Sequence, residues 1–221
     1  MKRFLTIAAA ALIAASASGQ NFVHLYRYSD ANASVGAPAK GEKRVVLMGD
    51  SITEGWVEKH ARFFSDGRFI GRGISGEVSA QMLLRFRSDV IDLHPKTVAI
   101  LAGCNDIALN QGDYNEDYTF GNIVSMVELA KAHKIKVILC SLLPAGAFPW
   151  RPEVKDSAEK VASLNKRLEA YAKANHIKYV DYWTPMVASD GRSLNPAYSK
   201  DGIHPIAEGY EVMEKLLLEA L

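Results

Sequence analysis

From Arg44 onward the chain alternates between short continuous apolar runs and longer runs with apolar residues every three or four positions. The first kind reads as strands buried on both faces, the second as helices lying against them. Val45-Val46-Leu47-Met48 is the first strand, and it stops at Gly49-Asp50-Ser51, small turn-forming residues leading into a helix from about Ile52. Phe69-Ile70 opens a second short strand that ends at Gly71-Arg72-Gly73-Ile74-Ser75-Gly76, after which Val78, Met82, Leu83, Phe86 and Val90 keep helical spacing. Pro95 breaks the chain before a third strand, Thr97-Val98-Ala99-Ile100-Leu101, which ends at Gly103-Cys104-Asn105-Asp106. A helix is predicted near Phe120 to His133, then a fourth strand over Lys136-Val137-Ile138-Leu139-Cys140. The stretch from Ala145 to Pro152 is too rich in proline for regular structure and is expected to edge a cleft. A helix from about Val154 to Asn175, a fifth strand at Lys178-Tyr179-Val180-Asp181 and a final amphipathic helix to Leu221 complete the pattern.

Five strands alternating with helices predict right-handed crossovers and a parallel sheet covered on both faces. Residues 44–221 are therefore read as one three-layer α/β domain, whose strand order the alternation does not contain. Residues 20–43 lack periodicity and are read as an arm laid across the domain, with Phe22, Tyr26 and Tyr28 packing on its body.

Residues 1–19 differ in kind. Lys2 and Arg3 precede an apolar run from Phe4 to Ala15 and a small-residue exit, Ser16-Ala17-Ser18-Gly19, the three parts of a signal peptide. The run is too short to span a bilayer comfortably, and no cysteine follows it to carry a lipid. The expectation is an exported chain, periplasmic or extracellular, without stable membrane insertion after cleavage. A length of 221 residues suits one α/β domain. The formal net charge of +1 gives no reason to expect nucleic acid as a partner. Cys104 and Cys140 are read as two small buried thiols and have no metal-ligand spacing. The oligomeric state is left open.

The polar residues then line up with the strand ends. Ser51 follows the first strand, Gly76 the second, Asn105 the third, and Asp201 with His204 the fifth, so a parallel sheet would bring them to one rim. These are the parts of an acyl-transfer site. Ser51 is the candidate nucleophile, His204 its base, and Asp201, three residues before the histidine, the group that orients the imidazole. The backbone N–H groups of Ser51 and Gly76 and the side-chain amide of Asn105 are candidate oxyanion donors. Asp50 and Asp106 are read as turn braces, and Arg72 as an exposed loop residue. Trp56 and Trp150 are candidates either for a substrate subsite or for ordinary packing.

The blocks Gly49-Asp50-Ser51, Gly73-Ile74-Ser75-Gly76, Gly103-Cys104-Asn105-Asp106 and Asp201-Gly202-Ile203-His204-Pro205 resemble, in order, those of the SGNH, or GDSL-type, hydrolases. The resemblance implies a flavodoxin-like α/β/α fold and serine esterase chemistry without metal or cofactor. It places the nucleophile at Ser51, the base at His204, its carboxylate at Asp201 and the oxyanion donors at Ser51, Gly76 and Asn105. One departure is Gly71-Arg72, where the family often carries an asparagine upstream of the Gly-x-Ser-Gly block. Members act on sugar acetyl groups, lysophospholipids, thioesters and simple esters. Short loops and the export signal favour a small acyl group, acetyl above all, on a carbohydrate or similar polar alcohol. The alternatives are a lipid acylhydrolase, with residues 147–150 lining an acyl groove, and a non-catalytic carbohydrate-binding relative.

Overall fold

A computed structural model describes residues 23–221; the predicted signal peptide and Phe22 lie outside the described residues. Helix α1 (Ser29–Val35) precedes strand β1 (Val45–Gly49). Helices α2 (Ser51–Lys59) and α3 (Ala61–Phe64) lead to β2 (Phe69–Gly73) and α4 (Ser79–Asp89). Strand β3 (Thr97–Ile100), helices α5 (Cys104–Ile107) and α6 (Glu116–Ala132), and β4 (Lys136–Cys140) follow. The chain closes with α7 (Ser157–Ala174), β5 (Lys178–Val180), α8 (Trp183–Met186) and α9 (Ala207–Ala220).

All five strands are parallel, in the order β2-β1-β3-β4-β5. β1 and β3 are buried along their whole length, which is why they read as unbroken apolar runs, whereas the edge strands β2 and β5 are not. Successive side chains of β1 serve different layers. Val46 and Met48 pack with Met82, Phe86, Ile123, Val127, Leu164 and Leu168 of α4, α6 and α7. Val45 and Leu47 face Trp56, Tyr210, Met213 and Leu217 of α2 and α9. This is the three-layer α/β/α architecture, and the direction of winding reverses between β1 and β3. The carboxyl ends of these two neighbouring strands open a crevice, the place where such sheets hold ligands. Ser51 begins the helix after one of them, and Asn105 lies in the helix after the other.

Three local expectations are corrected. Residues 29–35, read as irregular, form α1; with no buried residue, it has no apolar stripe to betray it. Tyr26 is 70% exposed and does not pack on the body. Arg72 is only 5% exposed. Strand β2 runs on to Gly73, and the arm covers its rim, where the Arg72 guanidinium stacks on Tyr28 and donates from Nε to Asn32 Oδ1.

Candidate active site

Asp50 caps α2 by accepting the Ile52 N–H at 3.0 Å, so Ser51 occupies the first helical position, where backbone N–H groups have no partner within the helix. Its Oγ lies 2.9 Å from His204 Nε2, across 153 residues of sequence. On the other side of the ring, His204 Nδ1 lies 2.7 Å from Asp201 Oδ2. The loop before α9 is built around that carboxylate. Asp201 Oδ1 accepts the N–H groups of Ile203 at 2.9 Å and His204 at 2.8 Å, and the Ser199 hydroxyl at 3.1 Å. Partial burial alone would raise the Asp201 pKa, but the His204 side chain and these backbone donors hold it well below the usual carboxylate range. The carboxylate therefore stays ionised and can stabilise a positive charge on the imidazole.

Gly76 stands at the turn after β2 with φ +80°, and a Cβ placed there would meet nothing within 4 Å. Its backbone conformation favours glycine, and the space above it is open to a ligand. The turn is held at several points. Glu54 of α2 accepts the Ser75 N–H at 2.9 Å and the Arg27 guanidinium at 3.0 Å. The Tyr28 hydroxyl donates to the Gly73 carbonyl, and His24 Nδ1 lies 3.2 Å from Glu77 Oε1. Gly73 itself lies so close to α2 that a Cβ would come within 2.2 Å of Glu54 N, a second reason for glycine in this block.

Asn105 is buried with its amide orientation set from three sides. Its Nδ2 donates to the Glu77 carbonyl at 3.0 Å and approaches Asp50 Oδ2 at 3.4 Å, while its Oδ1 accepts from Asn110 Nδ2 at 2.7 Å. The long contact to Asp50 marks the hydrogen most easily turned toward a substrate oxygen.

Sequence reasoning missed Arg85 and the contact made by Asn110, and it left Trp150 open between subsite and packing. Arg85, fully buried, lies under both loops; it bonds Glu77 Oε2 at 2.6 Å, Asp89 Oδ2 at 2.9 Å and the carbonyls of Gly49 and Arg72 at 3.1 and 3.0 Å. The signal was its position between Met82 and Phe86, on the apolar face of the predicted helix. Trp150 is placed at the site, with Asn110 as its partner. Trp150 stacks on the His204 ring at 6.3 Å and donates from Nε1 to Asn110 Oδ1 at 3.0 Å, so one chain of contacts runs from the histidine to Asn105. Trp56, the other candidate, is core: it stacks between Phe63 and Tyr210 and donates to Glu214. Asp106, read as a turn brace, ties its turn to α4 and α6 instead, accepting from Ser79 and Thr119. Cys104 and Cys140 are both free thiols, though Cys104 is only partly buried. Among the described residues, no cluster of His, Cys, Asp and Glu could hold a metal ion.

Asp50 is the unusual ionisable group here. Burial, aided by Asp106, pushes its carboxyl up to about 6, against the Ile52 N–H and the charge of His204. A carboxyl raised on folding holds its proton longer in the folded than in the unfolded chain, so it lowers stability as pH rises from about 4 to about 6. Asp50→Asn keeps an oxygen for the cap and removes that titration. Its stability relative to the parent protein is expected to increase by up to about 3 kcal/mol between pH 4 and pH 7. Urea denaturation of both proteins at the two pH values checks this, and a pH-independent difference would contradict it.

Comparison with known proteins shows the family and the fold. The model of the GDSL-like Lipase/Acylhydrolase family matches residues 47–212. A GDSL-like lipase of Bacteroides thetaiotaomicron VPI-5482 is 60% identical and superposes with a TM-score of 0.88, over 90% of this chain and 97% of that one. A Bacteroides fragilis NCTC 9343 structure, provisionally assigned as an acylhydrolase, is 58% identical with a TM-score of 0.88, over 90% and 95% of the two chains. An uncharacterized lipoprotein, YqeF, of Bacillus subtilis strain 168 is 28% identical, over 77% of this chain and 83% of its own.

Proposed function

Because the chain belongs to the GDSL-like lipase/acylhydrolase family, a family of ester-hydrolysing enzymes, we propose that Ser51, His204 and Asp201 are its catalytic triad and that it removes a short acyl group from a polar alcohol. The observation that carries the triad is the unbroken relay from Ser51 Oγ to His204 Nε2 at 2.9 Å and from His204 Nδ1 to Asp201 at 2.7 Å. In this mechanism Ser51 Oγ attacks the ester carbonyl carbon as His204 Nε2 takes its proton. The oxyanion is met by the N–H groups of Ser51 and Gly76 and by Asn105 Nδ2. The carbonyl re-forms and the alkoxide leaves with the proton from His204, giving acyl-Ser51 and free alcohol. Water, deprotonated by His204, then attacks the acyl carbon and releases the carboxylic acid and Ser51.

The preference for acetyl rests on the space beside the site. An apolar cavity of about 10 Å³ is bounded by Asp50 and Ile52, on either side of Ser51, by Cys104 before Asn105, by Ile203 before His204, and by Leu142 and Leu143. That is room for about one water-sized group, too little for a long acyl chain to run inward beside Ser51, and this favours a short acyl group. The lipid reading needed residues 147–150 as an acyl groove, yet Phe148 is buried in the main core. Trp150, 42% exposed beside His204, is left as an aromatic face on the side from which the alcohol departs. Export of the chain is proposed from the pattern of residues 1–19 and agrees with the description of the Bacillus relative as a lipoprotein.

The test is a series of p-nitrophenyl esters combined with a fluorophosphonate probe. The expected result is kcat/KM highest for acetyl and falling at least about tenfold by octanoyl, as a pocket too small for added methylenes implies, with the probe on Ser51. Labelling elsewhere would overturn the triad, and a preference for octanoyl would return the lipid reading.

A further inference from the structure

A second cavity, of about 230 Å³, lies between the amino-terminal end of α4 and the loop from Gln111 to Asn115. Its walls belong to the chain immediately beyond the two proposed oxyanion donors outside Ser51. Val78 lies two residues after Gly76, and Asp106 directly follows Asn105. A chain of contacts leads from the site to the cavity rim: Trp150 stacks on His204 and hydrogen bonds Asn110, the residue before the lining residue Gln111.

The chemistry of the lining is specific in what it contains. Gln111, Asp113, Asn115 and Asn122 supply neutral amide groups and a carboxylate, and the Tyr118 ring is 76% exposed at the edge. Several of these groups have capacity to spare. Asn115 uses its Oδ1 to cap Tyr118 N, leaving the amide nitrogen, and Asn122 uses its Nδ2 on Ser79 Oγ, leaving the amide oxygen. Among the described residues, no lysine, arginine or histidine lines the cavity itself, Lys160 lying over the Tyr114 ring at 5.6 Å, and the aliphatic lining is Val78, Ala80 and part of Thr119. A phosphate headgroup would meet the carboxylates of Asp106 and Asp113, and an acyl chain would lie against amides. A neutral polyhydroxylated ring matches, with its hydroxyls on the amides and its C–H face on an aromatic ring.

We infer that this cavity is a subsite for a further sugar unit of an acylated oligosaccharide, the ring that carries the ester lying against Trp150. The inference rests on the proposed sugar-ester reading and deepens it, because it makes the enzyme one that reads more of a glycan than the acylated ring. Binding energy from the distant unit then raises kcat/KM, and the part shared by ground and transition states lowers KM.

The experiment compares the parent protein with the double variant Gln111→Ala/Tyr118→Ala on three substrates. These are p-nitrophenyl acetate, acetylated pentose and hexose monosaccharides, and the matching acetylated oligosaccharides. The expected result is a parent KM lower for oligosaccharides than for monosaccharides. In the variant, the ratio of kcat/KM on oligosaccharides to that on p-nitrophenyl acetate should fall about tenfold, the scale of losing a hydrogen bond and a ring contact. An unaltered melting temperature separates this from misfolding. Equal treatment of monosaccharides and oligosaccharides by the parent, or an unchanged ratio in the variant, would overturn the subsite and leave the sugar esterase standing. Hydrolysis of p-nitrophenyl acetate with no turnover of any sugar ester would overturn the sugar reading and the subsite together.

Discussion

Replacing Ser51 or His204 by alanine is expected to lower kcat on p-nitrophenyl acetate by about a million-fold, the scale on which triads fail when nucleophile or base is removed. The reason is the geometry of one proton. At 2.9 Å from Ser51 Oγ, His204 Nε2 is within reach of the hydroxyl proton that the proposed mechanism has it take and return. The Ser51→Ala/His204→Ala double variant should be scarcely worse than either single one, because the two act as a unit. Asp201→Asn should cost less, about ten thousand-fold, since it leaves the ring in place but favours the wrong tautomer. Residual turnover by the oxyanion donors survives in all of them. Steady-state kinetics with active-site titration checks the order, and a Ser51→Ala protein within tenfold of the parent would remove Ser51 from the mechanism.

Arg85→Met should be the most damaging change to stability, at about 3–5 kcal/mol, because it leaves buried carboxylates without their cation. Glu77 and Asp89 are both buried against the guanidinium, at 2.6 and 2.9 Å. Burial already raises the Glu77 pKa, and Arg85 is the largest influence opposing that rise. The loss reaches the chemistry as well. Arg85 ties down the Gly49 carbonyl, two residues before Ser51, and orients Glu77, whose own carbonyl fixes Asn105. A fall in kcat larger than any change in KM is therefore expected at temperatures where the variant is folded. Arg85→Lys should recover little, since one ammonium cannot span two carboxylates and two carbonyls on different elements. Chemical denaturation measures the first effect, and a loss below 1 kcal/mol would show that the network is relaxed by water.

Legibility varied with the range of the interaction. Ser51 could be singled out because a buried strand, a tight turn and a helix start lie within a few residues of it. Asp201 and His204 lie in one turn, so their pairing is local too. Arg72 was misread because the edge strand β2 is short and only partly apolar; its covering comes from Tyr28 and Asn32, more than 39 residues away. Trp150 could not be assigned from its neighbours, because its partners, His204 and Asn110, are distant in sequence. Helix α1 escaped because its pattern contains no buried face. The glycine at 76 was expected for close backbone approach, and the structure adds a positive φ that only the folded turn reveals.

By itself the sequence determined the five strands and the long helices of residues 44–221, that the strands run parallel, and which chemical groups stand at their ends. Each of those follows from side-chain periodicity and turn residues within one element, where backbone geometry leaves few choices. The tertiary structure alone decided that β1 and β3 are neighbours, so that Ser51 and Asn105 face one crevice. It also decided that Arg85 is the buried cation beneath both loops and that Trp150 lies on His204. These depend on which layers close over which, and that is settled by packing between residues far apart in the chain.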